Sequence, residues 1–361
     1  MKKIDLGKDV KEALQDLANF NATSNTSIEV PMVNPAPNRG GEDVTLFLRN
    51  LTASMAENTA RAYLKNWKIF SEWCASSGLW AYPANGSTIA RYIDFLKTSG
   101  KKASSIAQAV ASIRKYHEVF GVIMKDVARK NPCESIEVKT AMKAVRRELG
   151  TAPAQKDALT ADKLAEMFSS VSRDDLKGLR DKALVLLGFA GAFRRSELVS
   201  LTLADLEEVE THKGRLGYMV TVRHSKTDQE GAGMIKAIFP ARNKDLCPVR
   251  ALQEWLEVSG MKDASAHLFP SIRKGGHLGS APMTGRDVAR VLKRMVEAAG
   301  LNGLKNVSGH SLRRGFVTTA INKGASAISV MNQTGHKSIS SLKRYIDRRD
   351  VFQNNASEDI L

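Results

Sequence analysis

The sequence predicts a mainly α-helical fold in two domains, with a small antiparallel sheet in the second. Three observations predict it. Apolar residues recur at helical spacing almost continuously from residue 43 to 149. Two stretches further on, YMVTVRH and MIKAIF, instead alternate in the manner of strands. Between these regions the segment GTAPAQKD, residues 150–157, carries glycine and proline but few large apolar side chains, the composition of a linker. A chain of 361 residues has room for two domains of the usual ~100–200 residues.

Residues 1–42 combine a short amphipathic piece, with Val10, Leu14 and Leu17 at helical spacing, and a tract rich in Asn, Ser, Pro and Gly. They are expected to form a flexible N-terminal segment. In ENTARAYLKNWKIFSEWC the residues Ala60, Tyr63, Leu64, Trp67, Phe70 and Cys74 make one apolar stripe. The same spacing marks Trp67, Phe70 and Trp73 as core rather than as a base-stacking platform. Helices follow in STIARYIDFLKTSG, with Gly100 as its stop, in SSIAQAVASIRKYHEVFG, with Gly121 as its stop, and in ESIEVKTAMKAVRRELG. After the linker, residues 158–361 form the second domain. DKALVLLGFAGAF is nearly all apolar and reads as a buried helix; the two strands are joined by the turn-rich SKTDQEGAG; helical patterns return in GRDVARVLKRMVEAAG and after His310.

Charge narrows the function. Lys and Arg number 54 against 38 Asp and Glu, a formal net charge of +16, which calls for a polyanionic partner such as nucleic acid. No run of 18 or so apolar residues offers a membrane span, and the basic N-terminus lacks the apolar core of a signal peptide. The three cysteines, Cys74, Cys133 and Cys247, are widely separated and never paired as CxxC. That usage fits a reducing, cytoplasmic setting without disulfides or structural zinc.

Four places in the second half carry groups suited to phosphate chemistry: AFRRSELVSL with Arg194, the hairpin tip SKTD with Lys226, SGHSLRRGF with His310 and Arg313, and TGHKSISSLKRYI with His336 and Tyr345. One helical turn separates His310 from Arg313, so both fall on one face. A single H-x-x-R says little. The ordered series R…K…H-x-x-R…H…Y, filled at all six positions, resembles the tyrosine recombinases of the phage integrase family. The resemblance covers roughly residues 43–350 and is closer to Cre-like or Xer-like members than to lambda-type ones, because residues 1–42 are too short and Pro/Asn-rich for an arm-binding domain.

The resemblance implies a fold, a reaction and an assembly. Residues 43–149 would be a helical core-binding domain and residues 158–361 the catalytic domain, closing as a clamp on double-stranded DNA. Tyr345 would attack a DNA phosphorus to give a 3'-phosphotyrosyl bond. Its hydroxyl, with an ordinary pKa near 10, needs a base or a strongly cationic site. Arg194 and Arg313 would hold the nonbridging oxygens. His310 would take the tyrosine proton, Lys226 would protonate the departing 5'-oxygen and His336 would bond to the phosphate. Glu197 matches an acidic position expected to orient His310. No cofactor and no divalent metal is expected. Lys65, Lys68, Arg114, Lys115, Arg146 and Arg147 are expected on the DNA backbone. The substrate would be an inverted-repeat recombination site and the working species a homotetramer on two such sites, passing through a Holliday junction for integration, excision or resolution. A type IB topoisomerase would share the tyrosine chemistry, and a noncatalytic DNA-binding regulator would share the basic surface. Arg195 and Arg314 are read as surface or DNA-backbone groups, and His117, His212, His224, His267 and His277 as surface or packing residues. After Tyr345 the apolar Val351, Phe352, Ile360 and Leu361 leave two readings open, docking on a neighbouring subunit or a frayed tail.

Overall fold

The structure, a computed structural model, describes residues 56–124, 130–151, 156–170, 175–223, 225 and 233–342. The expected N-terminal tether, Lys226, Tyr345 and the tail beyond it lie outside the described residues. The chain divides between Pro153 and Ala154 into two compact units. No helix among the described residues is long and apolar enough to cross a membrane.

The first unit contains helices α1 (Glu57–Ser76), α2 (Gly86–Thr98), α3 (Ala103–Ile123) and α4 (Ile136–Leu149), with a 3-10 turn at Pro132–Glu134. Asn85 starts α2 by accepting the backbone N–H of Thr88 at 2.8 Å, and Ser135 caps α4 through Val138. The stripe on α1 is core: Trp67 stacks on Tyr116 with ring centroids 4.6 Å apart, Phe70 packs edge-on to Tyr92, and half-buried Trp73 covers the same ring. His117 belongs to this core as well. Its Nδ1 lies 2.9 Å from the Ile113 carbonyl and its Nε2 accepts the Ala84 N–H, which fixes a neutral imidazole with its proton on Nδ1. The expected helix stop at Gly121 is not one. α3 runs through it to Ile123, with Gly121 buried inside the helix, while glycines of positive φ follow α2 at Gly100 and α4 at Gly150.

The second unit opens with α5 (Ala161–Ser170), α6 (Leu176–Ala190) and α7 (Arg195–Ser200). A three-stranded antiparallel sheet follows, β1 (Leu206–Glu210), β2 (Leu216–Val222) and β3 (Met234–Ile238), in the order β1-β2-β3. Then come α8 (Pro248–Ser259), the short pair β4 (Pro270–Ile272) and β5 (Leu278–Pro282), α9 (Gly285–Ala298), α10 (Gly309–Asn322), α11 (Ala327–Thr334) and α12 (Ile339–Leu342). The alternating stretches pair as expected, with Val220 opposite Lys236 and Val222 opposite Met234. β1 and the β4–β5 pair were not foreseen, because LEEVE is mostly exposed and acidic and the other two strands are only three and five residues long. As the apolar run demanded, α6 buries most of its length, Ala183 through Gly188 among it.

Helix α10 is seated against the segment that enters this unit. Leu159 donates its N–H to the Ser311 carbonyl at 3.1 Å, and a Cβ on Gly315 would stand 1.7 Å from the Leu159 carbonyl oxygen, so only glycine lets the backbones approach this closely. Arg314, read from sequence as a surface or DNA-backbone group, is buried. Its Nη1 donates to the Lys156 carbonyl at 3.0 Å, because its side of α10 faces the entering chain. Asp157 completes this seam by accepting the Asn306 N–H at 2.6 Å. All three cysteines are buried and free, and burial pushes the Cys74 and Cys133 thiols up to about 12.

Candidate active site

Four consecutive residues after α6 organise the site. The chain leaves the helix at Ala190 and turns through Gly191, Ala192 and Phe193, with Ala192 at φ 47. That left-handed conformation costs a residue with a Cβ about 1–2 kcal/mol. It aims the Ala192 carbonyl at Arg313 and delivers Arg194 to the start of α7. Arg194 is fixed twice by one carboxylate: its backbone N–H donates to Glu197 Oε2 at 2.9 Å and its Nη1 donates to Oε1 at 2.6 Å. Glu197 is 2% exposed, a buried acid whose charge is matched by the guanidinium. Glu197 was expected to orient His310, yet both of these bonds run to Arg194, the residue that precedes its own helical turn.

Ser308 caps α10, accepting the His310 N–H, so His310 and Arg313 fall in its first turns. Arg313 is 1% exposed. Its Nη1 donates to the Ala192 carbonyl at 2.8 Å and its Nη2 donates to His336 Nε2 at 3.2 Å. His336 follows Gly335, whose φ of 70 closes α11 in the left-handed form. Because Nε2 accepts from Arg313, the imidazole proton sits on Nδ1 and is donated to Thr334 Oγ1 at 2.7 Å; Thr334 in turn donates to the Val330 carbonyl at 2.6 Å. Burial, then the charges of Arg313 and Arg194, push His336 down to about 4, so it is neutral near pH 7. His310 reaches solvent, but desolvation by surrounding protein, followed by Arg313 and Arg194, lowers its pKa as well. Two guanidiniums and two neutral imidazoles therefore share one cationic region.

A fifth basic side chain belongs to this region and was missed from sequence. Lys236 on β3 is 1% exposed, with its Nζ 2.8 Å from the Gly191 carbonyl, within bonding distance of the Gln333 carbonyl and 5.1 Å from the Phe193 ring centre. The signal was present in MIKAIF. Met234, Lys236 and Ile238 share one face of the strand, and a lysine at an inward position is anomalous.

The remaining residues expected to act are distributed as follows. Arg195 is exposed, its side chain running beside Gly285 and Gly309. In the first unit Lys65 and Lys68 stand one turn apart on exposed positions of α1, Lys68 within 4.0 Å of Glu72. Lys115 pairs with Glu118, and Arg114 lies 3.6 Å from Glu134. Arg114 and Arg146 line one groove of about 360 Å³ with Lys139, Val138 and Met142, whereas exposed Arg147 lies outside its lining. His212 and His277 are exposed and His267 is half-buried.

Comparison with known proteins gives the following. Residues 157–351 match the phage integrase family, and residues 44–120 match the phage integrase N-terminal SAM-like domain. An integrase/recombinase xerD homolog of Selenomonas ruminantium is 37% identical over 308 residues, 85% of this chain and 86% of that protein. The tyrosine recombinase XerD of Halalkalibacterium halodurans is 24% identical, over 85% of this chain and 94% of that one. Among solved structures, XerH site-specific recombinase bound to palindromic difH substrate in a post-cleavage complex aligns with TM-score 0.57 at 16% identity, covering 97% of this chain and 96% of that one. A lambda integrase dimer bound to a COC' core site aligns with TM-score 0.56 at 18% identity, covering 85% and 95%. These two likenesses concern the fold.

Proposed function

The chain belongs to the phage integrase family, as an enzyme of the tyrosine site-specific recombinase class, and from that premise we propose how its residues divide the reaction. The substrate is double-stranded DNA carrying an inverted-repeat site. The Tyr345 oxygen attacks a backbone phosphorus, the P–O5' bond breaks, and the strand is held as a 3'-phosphotyrosyl ester. A partner strand's 5'-hydroxyl then reverses the step. His310 takes the tyrosine proton, and Lys226 gives one to the leaving 5'-oxygen, so the proton count closes. Arg194 and Arg313 stabilise the charge growing on the nonbridging oxygens. Glu197 supports Arg194.

One observation carries this reading: the Arg194–Glu197 pair, the Arg313–His336 bond and the lowered pKa of His310 lie in one region built by α7, α10 and the turn before α7. A neutral His310 can accept a proton near pH 7, which is what the role requires. Charge supports the partner, since +16 overall includes exposed Lys65, Lys68, Arg114, Arg146 and Arg147 on the first unit. Two-site synapsis by a homotetramer, a clamp formed by the two domains and passage through a Holliday junction complete the proposal. Tyr345→Phe tests it. On a nicked duplex that prevents religation, the wild-type protein should become covalently attached, and the phenylalanine variant should bind the same duplex without attachment. A variant that is still trapped would move the nucleophile elsewhere.

A further inference from the structure

We propose that Lys236 is a positioning residue of the phosphate clamp: bonded to the carbonyls of Gly191 and Gln333, it locks together the turn that presents Arg194 and the helix end that presents His336. The inference rests on the recombinase reading above and assigns this lysine a task distinct from that of Lys226.

The bonding pattern explains why a lysine is buried here. Gly191 is the C-cap of α6 and Gln333 lies in the last turn of α11, so two helix C-termini, each with partial negative charge, converge on one Nζ. The face of Phe193 adds a further attraction. Each segment continues directly into the site. Gly191 is followed by Ala192, whose carbonyl holds Arg313, and then by Arg194; Gln333 is followed by Thr334 and His336. A second residue repeats the junction, because the Gln333 side-chain amide donates to the Ala190 carbonyl at 2.9 Å and to the Ala237 carbonyl on β3 at 3.1 Å. An apolar side chain at position 236 would leave two buried carbonyls without this donor.

The titratable and charged groups around Lys236 are Glu197 on α7, Arg194 before it, Arg313 on α10 and the neutral His336 beyond α11. Burial lowers the lysine to about 7, Glu197 opposes that shift, and Arg313 and Arg194 add to it. An anionic phosphate seated between the two arginines offsets their charge and retains the proton on Lys236. Phosphate binding and a charged Lys236 are therefore mutually reinforcing.

The test is single-turnover covalent trapping on a nicked duplex built from the inverted repeat that the wild-type protein selects out of randomised DNA, followed across pH 5.5–9. Lys236→Met keeps the chain length and removes the donors. It should bind the duplex nearly as well as wild type but trap it about 10²-fold more slowly, the scale expected when a supporting shift of about 1 Å misplaces reacting groups. It should also lose a rate limb that titrates above about 7, where Lys236 of the bound complex gives up its proton. Lys236→Arg keeps donors and a permanent charge, and should recover most of the rate without the limb. A folded Lys236→Met with wild-type rate and pH profile overturns the inference, as do Met and Arg variants that fold and are equally slow. Should Lys236→Met fail to fold, the Arg variant decides: loss of the limb supports the role and an unaltered limb refutes it. Wild-type protein that never traps DNA overturns the recombinase reading itself, a separate result.

Discussion

Replacing Gly315 by alanine tests the seating of α10 with a single methyl group that meets the Leu159 backbone. The new Cβ would stand 1.7 Å from the Leu159 carbonyl oxygen and 2.3 Å from its carbon, both backbone atoms that cannot rotate away. Restoring an ordinary C···O contact of about 3.3 Å requires α10 and the 158–160 segment to separate by about 1.5 Å. Alanine raises helix propensity by about 1 kcal/mol. Forced separation of packed backbone opposes it, with overpacking alone costing about 1–3 kcal/mol before the Leu159–Ser311 bond and the Arg314–Lys156 bond are stretched. A net loss of about 2 kcal/mol in a unit of this size lowers the melting midpoint by about 4–8 °C. The functional effect is larger in proportion, because α10 carries both His310 and Arg313. A displacement near 1 Å of such groups lowers the chemical rate about 10²-fold. Circular dichroism melting and covalent trapping on a nicked duplex read the two effects separately. Gly315→Ala with wild-type melting and wild-type trapping would refute the packing argument.

Two further substitutions address the site and the DNA surface. Arg313→Ala should lower cleavage about 10²–10³-fold; it also removes a cation that depresses His336, whose NMR titration should move up from about 4 toward the ordinary histidine range. Arg146→Ala, at the groove shared with Arg114, should flatten the dependence of log affinity on log salt by about 0.9 while leaving cleavage by bound protein intact, and an unchanged slope would show that Arg146 meets no phosphate.

What could be read in advance depended on whether the information was local. The His310–Arg313 pair is legible because three residues are one helical turn, and the α1 stripe because burial repeats at the helix period. The termination assigned to Gly121 failed because a glycine can also keep the helical conformation, and Gly121 does so inside α3. Arg314 was misjudged for a related reason. Two adjacent arginines must point apart, but which one faces protein depends on where residues 156–160 return, a contact more than 150 positions away in sequence. Glu197 entered through the family resemblance with His310 as its expected partner, whereas its bonds run to Arg194, because a side chain three residues on can reach back to its own cap. Lys236 had a readable anomaly, a cation at an inward strand position, but its acceptors come from two helix ends distant in sequence.

The bonds made by the two arginines carry a consequence for how DNA is gripped. Arg194 Nη1 is engaged by Glu197, while Arg313 bonds to the Ala192 carbonyl and to His336. A phosphate oxygen that takes one of these same hydrogens substitutes for an existing acceptor, so the bonds already made within the fold limit what these particular donors add to ground-state seating. The advantage grows as charge accumulates on those oxygens and they become stronger acceptors than the carboxylate, carbonyl and imidazole whose bonds they replace. Tenacity on the duplex would then reside in the wider basic surface, and the arginines would express their preference at the moment of bond cleavage.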